Sequence, residues 1–256
     1  MKSLLTILVT LTALFTPVTH ADEEKNLGTI WFIGDSITQS NADGDKTSSP
    51  RLELHKLLTK KGHTFTYTGH FTANIDGLPP TGDTPATNLY RFHSGVSGAT
   101  IGANQHRRTN ITASIPRWWN QGRLATAKPN VVLIMLGTND IGLNDAVDQA
   151  PTRIKQLVET IHAQLTDSDP APHYYIAQIP PNRQNPAATK RVLDFNQALP
   201  VIVEQLKAEG KAATLVDQFT PIDADKNKLM ADTLHTNTEG NKALAQQWLK
   251  AILSNH

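Results

Sequence analysis

The feature that most constrains the fold of this chain is the alternation of short apolar runs with longer amphipathic segments. Two of the runs, residues 29–33 and 130–136, are followed directly by a glycine. Their short length and their bulky β-branched and aromatic residues are typical of buried parallel strands. The same reasoning predicts five strands along the chain: residues 29–33, 64–68, 130–136, 174–179 and 214–217.

Helical periodicity fills the intervals between these strands. One apolar stripe at helical spacing consists of Ile154, Leu157, Val158, Ile161 and Leu165. Further helices are predicted at residues 51–61, 190–209 and 239–253. Strands that alternate with helices form a mostly parallel sheet with helices on both faces. We therefore predict an α/β fold, a three-layer α/β/α sandwich with about five parallel strands, whose functional residues gather at the carboxyl ends of the strands.

The first residues predict a cleaved leader. A basic second residue is followed by an apolar stretch over residues 4–15, which Pro17 interrupts before the acidic start at Asp22. Such a stretch is too short for a stable membrane span and has the composition of a secretory signal peptide. We therefore expect residues 1–21 to be a signal peptide and residues 22–256 to be the folded domain, without a membrane span and secreted or periplasmic. An uncleaved anchor is the alternative.

Composition excludes several classes of protein. The chain has no cysteine, which rules out structural disulfides, thiolate metal sites and a lipoprotein anchor. Its 24 Lys and Arg nearly balance its 23 Asp and Glu, whereas nucleic-acid binding requires a clustered excess of positive charge. The length after the leader suits one domain. The sequence does not indicate an oligomeric state.

A serine follows the first predicted strand directly. In the motif GDSIT at residues 34–38, the glycine permits a tight turn that places Ser36 at the carboxyl edge of the sheet. There the backbone N–H of Ser36 can point toward the same space as its hydroxyl and contribute to an oxyanion hole. Taken alone, the motif is also typical of ordinary turns. We interpret Asp35 as a residue that holds this loop by hydrogen bonds.

Two later motifs supply the other groups that acyl transfer needs. Asn139 follows the strand at residues 130–136, where its side-chain amide can donate to a developing oxyanion. A helix N-cap or an Asx turn is the alternative, and we interpret the adjacent Asp140 as holding that loop. Asp232 precedes His235 by three residues, so its carboxylate can orient the imidazole that takes a proton from serine. A solvated aspartate and a histidine at a helix entry are the alternative.

Four blocks of the sequence resemble, in their order, the signature blocks of the SGNH (GDSL-type) hydrolase superfamily. The blocks are GDSIT at 34–38, SG at 97–98, GTND at 137–140 and DTLH at 232–235. The resemblance spans nearly the whole chain after the leader. It implies a flavodoxin-like sandwich and a serine esterase that requires no metal and no organic cofactor.

The resemblance also implies a role for each matching residue. Ser36 would be the nucleophile, His235 the base, and Asp232 the residue that orients the base. The oxyanion hole would consist of the backbone N–H groups of Ser36 and Gly98 and the side-chain amide of Asn139.

Within the superfamily, the chain is most similar to carbohydrate esterase family three, which includes acetylxylan esterases. This closer similarity rests on GDSITQ at 34–39, HSGVSG at 93–98 and IPP at 179–181. The chain departs from the common pattern beside the catalytic histidine. Thr233 stands where many members have Gly, and Thr236 stands where many have Pro.

Two further groups of residues are candidates for binding. Arg107 and Arg108 could bind the carboxylates of uronic acids, and sugar rings could stack on Trp118 and Trp119. A surface turn followed by a tryptophan pair partly buried in the core is the alternative. Separately, Asp43 and Asp45 offer oxygen ligands that suit calcium, with a polar turn as the alternative.

These observations lead to one expected function and two alternatives. We expect a secreted serine esterase that removes short acyl groups, in particular acetyl groups, from carbohydrate or another small ester. A lysophospholipase or thioesterase of the same superfamily is the first alternative. The second, from another class, is a non-catalytic glycan-binding protein. The long polar loop region predicted at residues 69–110 disfavours the apolar lid expected of a long-chain lipase.

Overall fold

A computed structural model describes three stretches of the chain, residues 26–40, 48–72 and 92–255. The predicted leader at residues 1–21 lies outside the described residues. Asp43 and Asp45, the candidate calcium ligands, also lie outside them.

The described residues contain one mixed sheet of seven strands. The strands are β1 (Asn26–Gly34), β2 (Thr64–Thr68), β3 (Phe71–Thr72), β4 (Phe92–Gly95), β5 (Val131–Met135), β6 (His173–Ala177) and β7 (Ala212–Val216). Their order is β3-β4-β1-β5-β6-β7, and β2 pairs with β1 beside this path. Only β3 is antiparallel to its neighbour. All five predicted strands are present, and the predicted α/β fold is confirmed.

Ten α-helices and one short 3-10 helix (Val147–Gln149) accompany the sheet in the described ranges. The α-helices, in chain order, are α1 (Ser36–Gln39), α2 (Pro50–Lys60), α3 (Ile111–Asn120), α4 (Arg123–Ala127), α5 (Thr138–Gly142), α6 (Ala150–His162), α7 (Pro186–Ala208), α8 (Thr220–Ala224), α9 (Lys226–Leu229) and α10 (Thr238–Leu253). The four predicted helices correspond to α2, α6, α7 and α10. Across the described segments, no helix combines the length and the apolar character needed to cross a membrane.

Two hydrophobic cores cover the two faces of the sheet. On one face, α3, α6 and α7 pack against side chains such as Ile134 of β5. On the other face, α2 and α10 pack against side chains such as Leu133 of the same strand. Neighbouring residues of a strand point to opposite faces, so one continuous apolar run serves both cores. This double burial is why β5 reads as an uninterrupted hydrophobic stretch.

The prediction of a continuous loop region at residues 69–110 is wrong in one respect. Strands β3 and β4 lie within it, and β4 pairs in parallel with the end of β1. The indole N–H of Trp31 donates to the hydroxyl of Ser94 at 2.9 Å. The backbone N–H of Gly95 donates to the ring of His93 at 2.9 Å. Both polar side chains of this strand are therefore satisfied, Ser94 by a residue of β1 and His93 by its own strand.

The double core predicts a large difference between two leucine substitutions. Leu133→Ala removes a side chain that is fully buried between the sheet and its helices, and we expect the free energy of unfolding to fall by about 2–5 kcal/mol. Leu193→Ala makes the same chemical change at a side chain that is 46% exposed, so we expect a change below about 0.5 kcal/mol. Urea unfolding measures both; equal losses would contradict the packing described above.

Candidate active site

The site begins at the carboxyl end of β1, where the chain turns into α1. Asp35 caps this short helix, because its Oδ1 accepts the N–H of Ile37 at 3.0 Å. Ser36 is the first helical residue and is mostly buried. Burial raises the pKa of Asp35, while the hydrogen bond from Ile37 acts in the opposite direction. The turn thus fixes the serine at the edge of the sheet, as the position of the motif predicted.

A chain of hydrogen bonds connects this serine to the loop before α10. The Oγ of Ser36 lies 3.0 Å from Nε2 of His235. On the other side of the ring, Nδ1 lies 2.8 Å from Oδ2 of Asp232. When Nδ1–H donates to this carboxylate, Nε2 is left as an acceptor that faces the serine hydroxyl, which is the arrangement that proton transfer from serine requires. The structure therefore brings Ser36 together with two residues that lie about 200 positions later in the chain.

Asp232 is also bound by its own loop. Its Oδ1 accepts the backbone N–H groups of Leu234 at 2.6 Å and of His235 at 2.7 Å. Partial burial acts to raise the pKa of Asp232, but the hydrogen bonds from the His235 ring and from these two amides outweigh it and lower the pKa. A carboxyl group with a lowered pKa stabilises the fold above its unfolded pKa, and this contribution is lost on acidification.

The two departures from the family pattern have ordinary structural roles. The hydroxyl of Thr236 donates to Oδ1 of Asn241 at 2.8 Å, and the amide of Asn241 donates to Ser48 at 3.2 Å. These contacts attach the histidine loop to α10 and to the segment before α2. The carbonyl of Thr233 accepts the N–H of Arg183 at 2.8 Å. Neither residue removes a group from the site.

The other two predicted oxyanion residues follow the two strands that pair with the carboxyl end of β1. Gly98 follows β4 and Asn139 follows β5, so each lies at the carboxyl end of a strand adjacent to that of Ser36. The side-chain amide of Asn139 donates to the carbonyl of Ala99 at 2.8 Å, which joins the two loops. Gly98 has a φ of 73°, a left-handed conformation that favours glycine.

A buried ion pair lies beneath these loops. Oδ2 of Asp140 accepts the N–H of Ile101 at 3.1 Å, and its Oδ1 lies 3.2 Å from Nη2 of Arg153. The same nitrogen of Arg153 donates to the carbonyl of Asp145 at 2.8 Å. Burial raises the pKa of Asp140 to about 6, against the opposing effects of the Ile101 amide and of Arg153. The pair thus holds the Gly98 loop to the Asn139 loop. This agrees with our interpretation that Asp140 holds its loop by hydrogen bonds.

Sequence reasoning missed two of the residues that hold the site. Arg153 lies on the buried face of α6, and a cation within an apolar stripe is a signal that a buried carboxylate faces it. Gln39 ends α1, and its Oε1 accepts the N–H of Ser97 at 2.6 Å. No local pattern identifies this second contact, since it depends on the pairing of β1 with β4.

The four predicted sugar-binding residues differ in how much of each is exposed to solvent. Trp118 is only 2% exposed; His70 stacks on its ring at 5.1 Å and the edge of Phe71 lies at 5.6 Å. The prediction that Trp118 binds a sugar is therefore wrong, because too little of its ring is exposed for a sugar to stack on it. Trp119 is half-buried against the same core. Arg107 and Arg108 are exposed in the loop that precedes α3.

Comparison with known proteins agrees with this geometry. Residues 32–243 match the model of the GDSL-like Lipase/Acylhydrolase family. The chain belongs to this family. The description of this family and the esterases among the similar structures show that the protein is a carboxylic ester hydrolase. A comparison with curated proteins gave no match.

Several solved structures of this fold are carbohydrate esterases. A family 3 carbohydrate esterase of Clostridium thermocellum is 27% identical and has a TM-score of 0.67, with 90% of this chain and 97% of that chain covered. A family 3 carbohydrate esterase from Talaromyces cellulolyticus is 20% identical, with a TM-score of 0.64 and coverages of 90% and 99%. Est24, a carbohydrate acetylesterase from Sinorhizobium meliloti, is 14% identical, with a TM-score of 0.57 and coverages of 90% and 100%. The similarity to the SGNH superfamily and to its carbohydrate esterases is confirmed.

The buried ion pair of Asp140 and Arg153 predicts how the stability of the protein changes when Arg153 is replaced. Arg153→Met leaves Asp140 buried without a counter-charge, and we expect the free energy of unfolding to fall by about 3–5 kcal/mol at neutral pH. The loss should shrink at about pH 5, because protonated Asp140 needs no cation. Urea unfolding at both pH values measures this.

The control for this prediction removes both charges. Arg153→Met combined with Asp140→Asn should recover part of the lost stability, since no buried charge is left unpaired. A double variant that is less stable than Arg153→Met alone at neutral pH would contradict the ion-pair interpretation.

Proposed function

We propose that the protein is a serine esterase that removes short acyl groups, in particular acetyl groups, from carbohydrate. The observation that carries the proposal is the hydrogen-bonded series from Ser36 through His235 to Asp232, with distances of 3.0 Å and 2.8 Å. Nucleophile, base and orienting carboxylate are the three groups that ester cleavage by serine needs. The 27% identity to the carbohydrate esterase of Clostridium thermocellum supports the substrate class.

The proposed reaction proceeds in two steps. The hydroxyl of Ser36 attacks the ester carbonyl while Nε2 of His235 takes its proton, and the imidazolium then protonates the departing alcohol. Water attacks the acyl-enzyme, its proton passes to His235, and the acid leaves as Ser36 is restored. Asp232 keeps the ring oriented and stabilises its cationic form throughout.

The negative oxygen formed in each step requires fixed donors. The backbone N–H groups of Ser36 and Gly98 and the Nδ2 of Asn139 are the proposed set. The amide of Asn139 has two hydrogens, and the bond to the carbonyl of Ala99 uses one of them. That bond orients the amide, so the second hydrogen is available to the oxyanion without further reorganisation.

The proposal also places the enzyme outside the cytoplasm. Residues 1–21 would be the signal peptide and residues 22–256 the hydrolase domain. The basic start, the apolar stretch at residues 4–15 and the acidic residues from Asp22 onward support this. A polymeric glycan that cannot enter the cell is a substrate consistent with export.

The nucleophile assignment predicts the outcome of one substitution. Ser36→Ala removes the attacking oxygen, and we expect kcat on p-nitrophenyl acetate to fall by about 10⁴-fold or more. Ser254→Ala removes the same atom from a residue at the end of α10, and it should retain wild-type activity. Full activity in Ser36→Ala would end the assignment.

The same assay tests acyl-chain length. Wild-type protein should prefer p-nitrophenyl acetate to the octanoate and palmitate esters. A preference for the long chains would point to a lysophospholipase or thioesterase instead. If no ester is hydrolysed in a Ser36-dependent way, the result would favour the interpretation as a non-catalytic glycan-binding protein.

The oxyanion assignment predicts a second substitution. Asn139→Ala removes one donor to the charge that develops in the transition state, and we expect kcat to fall by about 10²- to 10³-fold with little change in KM. The lost bond to Ala99 should cost about 1 kcal/mol of stability, which urea unfolding measures separately. Asn120→Ala, at an exposed position at the end of α3, is the control. A loss of kcat below about 5-fold in Asn139→Ala would contradict the assignment.

A further inference from the structure

The guanidinium group of Arg108 lies directly against Gly98. A Cβ placed on Gly98 would meet three atoms of Arg108 first, with Nη1 at 3.0 Å, Cζ at 3.8 Å and Cδ at 3.9 Å. The absence of a side chain at Gly98 therefore permits this approach, in addition to the left-handed φ. The cation lies beside a backbone that we propose as an oxyanion donor, and its side chain is exposed.

The loop that carries Arg108 is fixed by one asparagine. The Oδ1 of Asn104 accepts the N–H of Arg108 at 2.9 Å, and its Nδ2 donates to the carbonyl of Arg108 at 3.1 Å. The same Nδ2 lies 2.7 Å from the hydroxyl of Thr100, and the N–H of Thr100 donates to the carbonyl of Thr109 at 2.9 Å. The backbone of Arg108 is thus attached to the segment that follows Gly98, which orders the loop before any substrate binds.

The charge of Arg108 is not neutralised by the described part of the chain. No described carboxylate lies within ion-pair distance of it. The acids of the adjoining loops already have partners, because Asp140 pairs with Arg153 and Oδ2 of Asp145 accepts the N–H of Gln105 at 3.2 Å. A planar guanidinium whose backbone is fixed and whose side chain faces solvent is suited to bind a carboxylate through two parallel hydrogen bonds.

We propose that Arg108 binds a carboxylate of the substrate, so that the enzyme acts preferentially on acidic glycans in which a uronate lies next to the acylated sugar. This inference rests on the proposed function. Arg108 is a specificity-determining residue here, since its partner belongs to the part of the glycan that does not react. The position of the guanidinium against Gly98 places the uronate beside the ester carbonyl.

The experiment compares two forms of one substrate. Acetylated oligogalacturonate with free carboxylates and the same material with methyl-esterified carboxylates differ in charge but present the same acetyl groups. Release of acetate gives kcat/KM for each, and the ratio of acid to methyl ester is the readout. Wild-type protein should prefer the acid, and about 0.5 M NaCl should weaken this preference by screening.

Two matched substitutions assign the preference to one residue. Arg108→Gln should lower the ratio by about 10-fold or more, mainly through KM of the acid form. Arg117→Gln removes the same charge from an exposed position in the last turn of α3, and the ratio should stay within about 2-fold of wild type. An equal fall in both variants would overturn the assignment to Arg108.

Failure of this inference is distinguishable from failure of the proposed function. Ser36-dependent hydrolysis of p-nitrophenyl acetate together with equal rates on the two oligosaccharides, or with no acetate released from either, would overturn the role of Arg108 alone. Absence of Ser36-dependent hydrolysis of every ester would overturn the proposed esterase, and the inference with it.

Discussion

The backbone pairing of β1 with β4 on one side and β5 on the other is the constraint on which the site depends. Gly34 lies opposite Gly95 of one neighbour and Met135 of the other. Because all three strands are parallel, their carboxyl ends meet at one edge of the sheet. The loops after them bring Ser36, Gly98 and Asn139 to adjacent positions before any side-chain contact is considered. Side chains then refine a geometry that the sheet has already set.

The loops at this edge are held by polar contacts as well as by apolar packing, since Ala99, Ile101 and Ile141 are buried in the core. The ion pair of Asp140 and Arg153 lies below them, and Gln39 binds the backbone beside Gly98. Such contacts are directional, so they fix orientation as well as distance, whereas apolar contacts mainly fix distance. Burial of the Asp140 carboxylate raises its pKa. The orientation of the two loops therefore depends on a carboxyl group that is less readily ionised than one in water.

The sequence predicts the parts of this structure that depend on local pattern. Apolar runs identify β1 and β5, and motifs next to their ends identify Ser36 and Asn139. Strand β4 escapes prediction because its four residues include the polar His93 and Ser94; Trp31, 63 positions away, satisfies the hydroxyl of Ser94, and Gly95 of the same strand satisfies the ring of His93. Trp118 was misjudged for the same reason: composition cannot show that other rings cover it. The contact of Arg108 with Gly98 likewise depends on a fold of the loop that no spacing reveals.

The imidazole of His235 and the carboxylate of Asp232 belong to a single turn, with Oδ1 of Asp232 bound to the amides of Leu234 and His235. The two side chains therefore take their relative position from one short turn of the chain, and not from the packing of two separate elements. Bringing all three groups together then requires one placement, that of this turn against Ser36, instead of two. A sequence change elsewhere in the fold that moves the turn would move the imidazole and its carboxylate together.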